Sequence, residues 1–227
     1  MADAGRSIEA IRYIVFRRMA RGLCHKMFSG VQAVQFATEL CRRKLQTRTP
    51  GEMDTELAKI ASQATDVVKA CRSLADWLWP DSSSSEAFGE TLAGCVKLAA
   101  DDWMLRSIQG SVHFSKSVEA VAISRSMVYE LVSLSLLALI DACGNALDIE
   151  LAAELVDSEI VLNIKPHPST REAPPALPLP RADEKLDWRD VMLVAEAHNV
   201  KCSCNSADAS ITLRFEQRVD AMAGSLQ

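Results

Sequence analysis

The chain has 227 residues, 48% apolar and 24% charged, which suits one large domain or two small ones with a real core. A formal charge of −5 leaves no global basic footprint and argues against nucleic acid as a main partner. The N-terminus, MADAGRSIEAIRYIVFRR, lacks the order of a secretory signal, and the longest apolar run, Leu131–Ile140, is interrupted by serines and too short to span a bilayer. Seven scattered cysteines then read as thiols of a reducing cytoplasm, so a cytoplasmic protein with no membrane contact is expected.

The first predicted helix begins after Gly5 or Ser7, with Ser7 a possible N-cap, and runs to about Leu45. Its apolar stripe takes in Ile8, Ile11, Val15, Met19, Leu23, Met27, Gly30/Val31 and Val34. At about 100° per residue, His25 falls opposite that stripe, beside Arg18, Arg21, Ser29 and Gln32. TRTPG (Thr47–Gly51) should break the helix. A second helix then carries Met53, Leu57, Ile60, Ala64, Val67, Cys71, Leu74 and Leu78 at alternating steps of four and three, the seam of a coiled coil. Two such helices bury too little alone, and two copies forming a four-helix bundle, hence a homodimer, are the economical solution.

WPDSSSSE (Trp79–Glu86) is a proline- and serine-rich break, with residues 81–86 the linker between a hairpin over 1–80 and a second domain over 87–220. Beyond it, Glu90–Met104 reads as an amphipathic helix, and SVHFS and VEAVAIS as short strands. Ser126–Cys143 reads as a buried helix and Ser158–Lys165 as a strand. PHPSTREAPPALPLPRADE should be irregular. Asp187–Asn199 is the last helix, opened by Asp187 or Asp190, and Val200–Cys204 and Ser210–Phe215 form a strand pair around NSAD. The fold class is α+β, a helical hairpin followed by an α/β sandwich.

This order of elements resembles the dimerisation and ATPase-like (Bergerat) halves of a sensor histidine kinase, over nearly the whole chain. LCHKMFSGVQAV (Leu23–Val34) resembles the phosphoacceptor box, with His25 at the phosphoacceptor and Ser29 in its usual place. Lys26 stands where the box has an acid, and Gly30 where it has proline. ELVSLSLLALIDACGNA resembles the helix that carries the family's nucleotide-binding asparagines, but Ala138 and Ala142 occupy the amide positions. Alanine offers no oxygen to Mg²⁺ or phosphate. PHPST stands where a DxGxG is expected, EKLDWRD where a GLGL is expected, and four prolines fill the lid region. Backbone amides approach phosphate through glycine-rich turns, and none is left here. LVAEAHNVKCSCNSADASITLRFE resembles the family's closing helix and hairpin.

Kinase-like architecture with emptied nucleotide motifs resembles the ChpT-type histidine phosphotransferases, which relay a phosphoryl group between receiver domains. L-C-H at Leu23–His25 and E-L at Glu39–Leu40 are similar to that subgroup. The resemblance implies that His25 accepts the phosphoryl group, with no cofactor or metal on this chain because the receiver partner supplies Mg²⁺. It implies response-regulator receiver domains or a hybrid histidine kinase as partners. Arg17, Arg18, Arg21 and Lys26 suit a receiver's acidic pocket, and cations there would favour the neutral imidazole. Phe28 and Phe36 flank the same face and could anchor a receiver helix, or Phe28 could pack on helix two. Lys26 keeps open the alternative of a non-catalytic dimeric scaffold that binds a receiver or kinase.

Other signals are weaker. His198, Cys202 and Cys204 lack a fourth ligand at zinc spacing and read as core groups. His113 and His167 have no partner that sequence places, and Trp77, Trp79, Trp103 and Trp188 read as packing residues.

Overall fold

A computed structural model describes residues 6–44, 50–78, 84–144, 147–171, 181–205 and 207–216. The chain is mixed helix and sheet and divides into two compact units, Arg18–Pro80 and a second made of Met1–Arg17 with Asp81–Gln227. The division falls inside the first helix, so residues 1–80 do not form one body as the sequence suggested.

The smaller unit is a helical hairpin. Helix α1 (Ile8–Lys44) starts as predicted, with the Ser7 hydroxyl accepting the Ala10 amide at 3.2 Å. Helix α2 spans Pro50–Leu78. The expected TRTPG break is therefore shorter: Pro50 opens α2, where a missing N–H costs nothing, and Thr47–Thr49 lie outside the described residues. On α1 the covered side is Leu23, Met27, Gly30, Val34, Ala37 and Cys41, in steps of four and three.

On α2 the predicted Met53, Ile60, Ala64 and Val67 are covered, with Glu56, Gln63 and Ala70 beside them, while Leu57, Ala61, Val68 and Cys71 face solvent, so the covered side is turned slightly from the one predicted. The seam thus admits Glu56 and Gln63 in preference to Leu57 and Cys71; the side chains of Leu74 and Leu78 lie outside the described residues. The apolar stripe of α2 is wider than one helix covers.

Gly30 is explained by the hairpin. A Cβ there would run into Cγ2 of Val67, a stiff β-branched side chain held at the seam. Gly30→Ala should destabilise the protein by about 1–3 kcal/mol, the usual cost of overpacking. Urea denaturation followed by circular dichroism checks this, and an unchanged midpoint would contradict the close approach.

The larger unit holds a five-stranded sheet in the order β2-β4-β5-β7-β6. Its strands are β2 (Gln109–Phe114), β4 (Leu147–Val156), β5 (Glu159–Pro168), β6 (Lys201–Asn205) and β7 (Ser210–Glu216). Only the β2–β4 pair is parallel; β4–β5, β5–β7 and β6–β7 are antiparallel. A two-stranded ribbon, β1 (Ser85–Ala87) with β3 (Ala122–Ser124), stands apart, so regular structure already begins within the expected 81–86 linker.

Helices α3 (Phe88–Leu105), α5 (Arg125–Cys143) and α6 (Trp188–Ala197) supply the core opposite one sheet face. Alternate strand residues, among them Leu151, Leu162, Ile164, Ile211, Leu213 and Phe215, are fully buried there. Helix α5 is long and apolar enough to cross a membrane by length and composition, yet Leu131–Ile140 is buried throughout: it is the central core helix. It ends at Gly144, whose φ of 88° favours glycine.

Three local expectations change. VEAVAIS is not one strand, because Lys116–Glu119 forms a short helix (α4) with Val118 buried, leaving only Ala122–Ser124 extended. β4 was not anticipated. β5 continues through Pro166 and Pro168, where it pairs with β4 alone; spaced by two, the prolines share one side of the strand, and no β7 residue pairs there. Residues 172–180 of the proline-rich stretch lie outside the described residues.

Candidate functional site

In the hairpin unit, the seam fixes which way α1 faces. With Leu23, Met27, Gly30 and Val34 turned inward, His25 is exposed on the opposite side, together with Arg21, Ser29 and Gln32. Phe28 and Phe36 are 71% and 67% exposed, so Phe28 does not pack against α2 within the chain. Eight residues at about 1.5 Å of rise separate the two rings by roughly 12 Å along the helix, with His25 one turn before the first. Arg18 is half-buried and engaged in an interaction of its own. Lys26 lies on the helix, but its side chain is outside the described residues. About four turns beyond His25, Glu39 accepts from Arg42 at 2.9 Å and Arg43 at 2.7 Å, and these hydrogen bonds hold its carboxyl down at about 2.

The grouping can do one thing chemically. It presents an imidazole, a nucleophile when neutral, on a convex helix face bordered by a cation, amide and hydroxyl groups and two bare aromatic rings.

In the α/β unit, the segment standing where a phosphate-cradling turn was sought is committed elsewhere. The Asp187 side chain caps α6, accepting from Arg189 N–H at 2.8 Å and Asp190 N–H at 3.2 Å, and Asp190 returns a bond from the Asp187 amide at 3.0 Å. The helix N-terminus is thus satisfied by its own carboxylates, which repel an anion. Asp141 of α5 accepts the Leu186 amide at 2.8 Å and ties the segment down. Ala138 is fully buried and Ala142 exposed, so the two do not face one cavity.

Arg6, just before α1, and the arginines of its first turns finish that commitment. Arg6 donates to Asp190 at 2.8 Å and to the Lys185 carbonyl at 2.6 Å. Arg17 pairs with Glu184, so the cation expected to serve a receiver is already held within its own unit. Arg12 donates to both carboxylate oxygens of Glu130, at 2.5 and 3.2 Å, and Glu130 also meets His198 Nε2 at 2.8 Å. Ile11 and Val15 are buried between these arginines. Sequence reading missed this clamp, because its partners are 118 to 184 residues away.

Burial pushes the Glu130 carboxyl up, but hydrogen bonds from His198 and Arg12, with their charges, outweigh it and leave it below the usual 4.5. A depressed carboxyl stabilises the fold above its unfolded value and loses that contribution as pH falls through its folded value. Glu130→Ala should therefore cost about 1.5–3 kcal/mol at neutral pH, the range for hydrogen bonds to a charged group. Measured at an acid pH below the carboxyl's ordinary 4.5, the gap to wild type should be smaller than at neutral pH, because the lowered carboxylate protonates as pH falls. Denaturation midpoints at the two pH values check both statements.

Of the remaining candidates, His167 does find a carboxylate, Glu150 at 3.2 Å, on an exposed strand end. His113 is exposed on the outer sheet face, over a shallow depression of about 320 Å³ lined by Ser115, Glu154 and Asn163 among others. Trp103 is buried and Trp188 half-buried; Trp79 and the Trp77 side chain lie outside the described residues. Among the described residues no group of three or more His, Cys, Asp or Glu could hold a metal.

The geometry defines a class of architecture: a helical hairpin with an exposed histidine, running into a mixed α/β unit with a five-stranded sheet. No family model matches the sequence, and no curated protein matches it. Among solved structures, the chain is similar to the nucleotide-free catalytic domain of histidine kinase ThkA, at 10% identity and a TM-score of 0.45, over 59% of this chain and 96% of that one. It is similar to a bacterial phosphotransferase at 15% identity and a TM-score of 0.44, over 93% and 98% of the two chains. It is also similar to histidine kinase ThkA in complex with the response regulator protein TrrA, at 11% identity and a TM-score of 0.42, over 88% and 61%. At these values the similarities carry no side-chain roles over to this chain.

Proposed function

We propose that this protein is a histidine phosphotransferase of a two-component phosphorelay, taking a phosphoryl group from a receiver aspartate onto His25 and passing it to a second receiver without binding ATP. The observation that carries this reading is the exposure of His25 on the face of α1 opposite the hairpin seam, between Arg21 and the uncovered ring of Phe28. The Leu23–Val34 motif supports it from the sequence side.

The transfer is a displacement at phosphorus. A neutral ring nitrogen of His25 attacks in line, the N–P bond forms as the O–P bond to the receiver aspartate breaks, and the aspartate leaves as carboxylate. Mg²⁺ on the receiver offsets the phosphoryl charge, so this chain contributes position, a cation at Arg21 and the docking rings. Return to a second receiver is the reverse displacement. The α/β unit supports an ATP-independent role, because Asp187 and Asp190 fill the α6 terminus and Arg6 and Arg17 are bonded beside it.

The protein would act as a cytoplasmic homodimer joined through the hairpins. Leu57, Ala61, Val68 and Cys71 form an apolar stripe on α2 that α1 leaves open, and a second copy of the hairpin would cover it.

A second reading, a scaffold that binds a receiver or kinase without chemistry, is favoured by one observation. The exposed Phe28 and Phe36 rings suit docking whether or not His25 reacts. Incubating the protein with a receiver carrying labelled acyl phosphate separates the two: the relay takes up label, and the scaffold binds the receiver but stays unlabelled.

A further inference from the structure

Cys202 and Cys204, read from the sequence as core thiols, lie part-buried on the core-facing side of β6, at the margin of the sheet. Among the described residues β6 is an edge strand paired with β7 alone, and both cysteines are part-buried on the same face of it. Their Sγ atoms are 3.9 Å apart, within one hydrogen bond of each other. Cys202 lies opposite Leu213 and Cys204 opposite Ile211, both fully buried, so the strand's inner side is anchored while its outer edge is open.

The geometry points to a redox-modifiable dithiol: Cys202 and Cys204 close to an intrachain disulfide on reaction with a low-molecular-weight disulfide, and reopen when it is reduced. This inference is independent of the function proposed above. The two thiols differ in readiness. The hydrogen bond from Cys202 holds the Cys204 thiol below its ordinary value against the effect of burial; the same bond, with burial, pushes Cys202 up.

Either sulfur can attack, and with Cys204 first the step runs as a thiol–disulfide exchange. The Cys204 thiolate displaces one thiolate from the oxidant and forms a mixed disulfide. Cys202 gives its proton to the released thiolate, attacks Cys204 Sγ and expels the second half of the oxidant, which takes a proton from solvent. Two protein thiols are oxidised and one disulfide is reduced to two thiols.

Closure requires movement that an edge strand permits. Alternate Cα atoms of an extended strand lie about 6.6 Å apart, near the upper limit of roughly 6.8 Å for a disulfide, so β6 must pucker. A central strand would break two ladders to do this. β6 breaks at most part of one.

Trypsin isolates the pair, since cleavage after Lys201 and Arg214 releases a peptide in which Cys202 and Cys204 are the sole cysteines. The native protein is incubated with oxidised glutathione, alkylated and digested. The expected peptide is lighter by two hydrogen atoms and carries no alkyl group, and reduction before alkylation restores both sites. Cys202→Ser should trap one glutathione on Cys204, and Cys204→Ser at most one on Cys202, neither closing to a disulfide. Full alkylation of both cysteines after oxidation, or two glutathiones on the wild-type peptide without closure, would overturn the inference. The wild-type result decides alone if a variant fails to fold.

Discussion

His25→Ala should reduce phosphoryl uptake from a phosphorylated receiver to background, a loss of at least about a thousandfold, because no other group supplies the attacking nitrogen. The receiver should still bind within a few-fold of wild-type affinity, since the imidazole is one small part of a surface that includes Phe28 and Phe36. Phe28→Ala should do the reverse. Losing a central exposed ring should weaken docking roughly tenfold or more while leaving transfer within the saturated complex nearly intact. This crossed pattern distinguishes a phosphoacceptor from a scaffold. A scaffold predicts that His25→Ala changes neither binding nor a transfer that never occurred.

The second large effect concerns assembly. If the proposed dimer forms through the open α2 stripe, Leu57→Asp with Val68→Asp should convert it to a monomer in light scattering at micromolar concentration. By symmetry the pair places four charges in the interface, two from each copy. Fully burying a Leu or Val side chain contributes roughly 1.5–3 kcal/mol, and about half of each is left to bury here, so losing four such groups removes about 3–6 kcal/mol before any charge is desolvated. At about 1.4 kcal/mol per tenfold, dissociation should rise by more than roughly two orders of magnitude. Both residues already face solvent within one chain, at 52% and 48% exposure, so the hairpin's own seam is untouched. A wild-type monomer, or a double variant that remains dimeric, would contradict assembly through this stripe.

Much of the fold could be read locally. The α1 period from Leu23 to Val34 places His25 on the outer face before any coordinates are considered, and the Asp187 to Asp190 spacing announces the α6 cap. What could not be read was set by distant parts of the chain. DIELAAELV of β4 is rich in Ala, Glu and Leu, good helix formers, and is extended because β2 and β5 pair with it on both sides. The rotated α2 seam needed the position of α1, because composition alone prefers Leu57 to Gln63 in a seam. Arg6, Arg12 and Arg17 look like surface cations until Asp190, Glu130 and Glu184 are brought to them by the fold. Cys202 and Cys204 alternate onto one strand face in the sequence, but only the strand order shows that this strand is an edge.

The candidate site shows the same division. Which residues share a face with His25 follows from helical period. That Phe28 is uncovered, that Arg17 is already paired and that α6 is capped by its own carboxylates all follow from packing.

The most direct measurement is to map the label after transfer from a phosphorylated receiver. The label should be acid-labile and alkali-stable, as expected of a phosphoramidate, should sit on the peptide containing His25, and should leave when an unphosphorylated second receiver with Mg²⁺ is added. Acid-stable label, label on a peptide without His25, or no label on a protein that demonstrably binds the receiver would contradict the account.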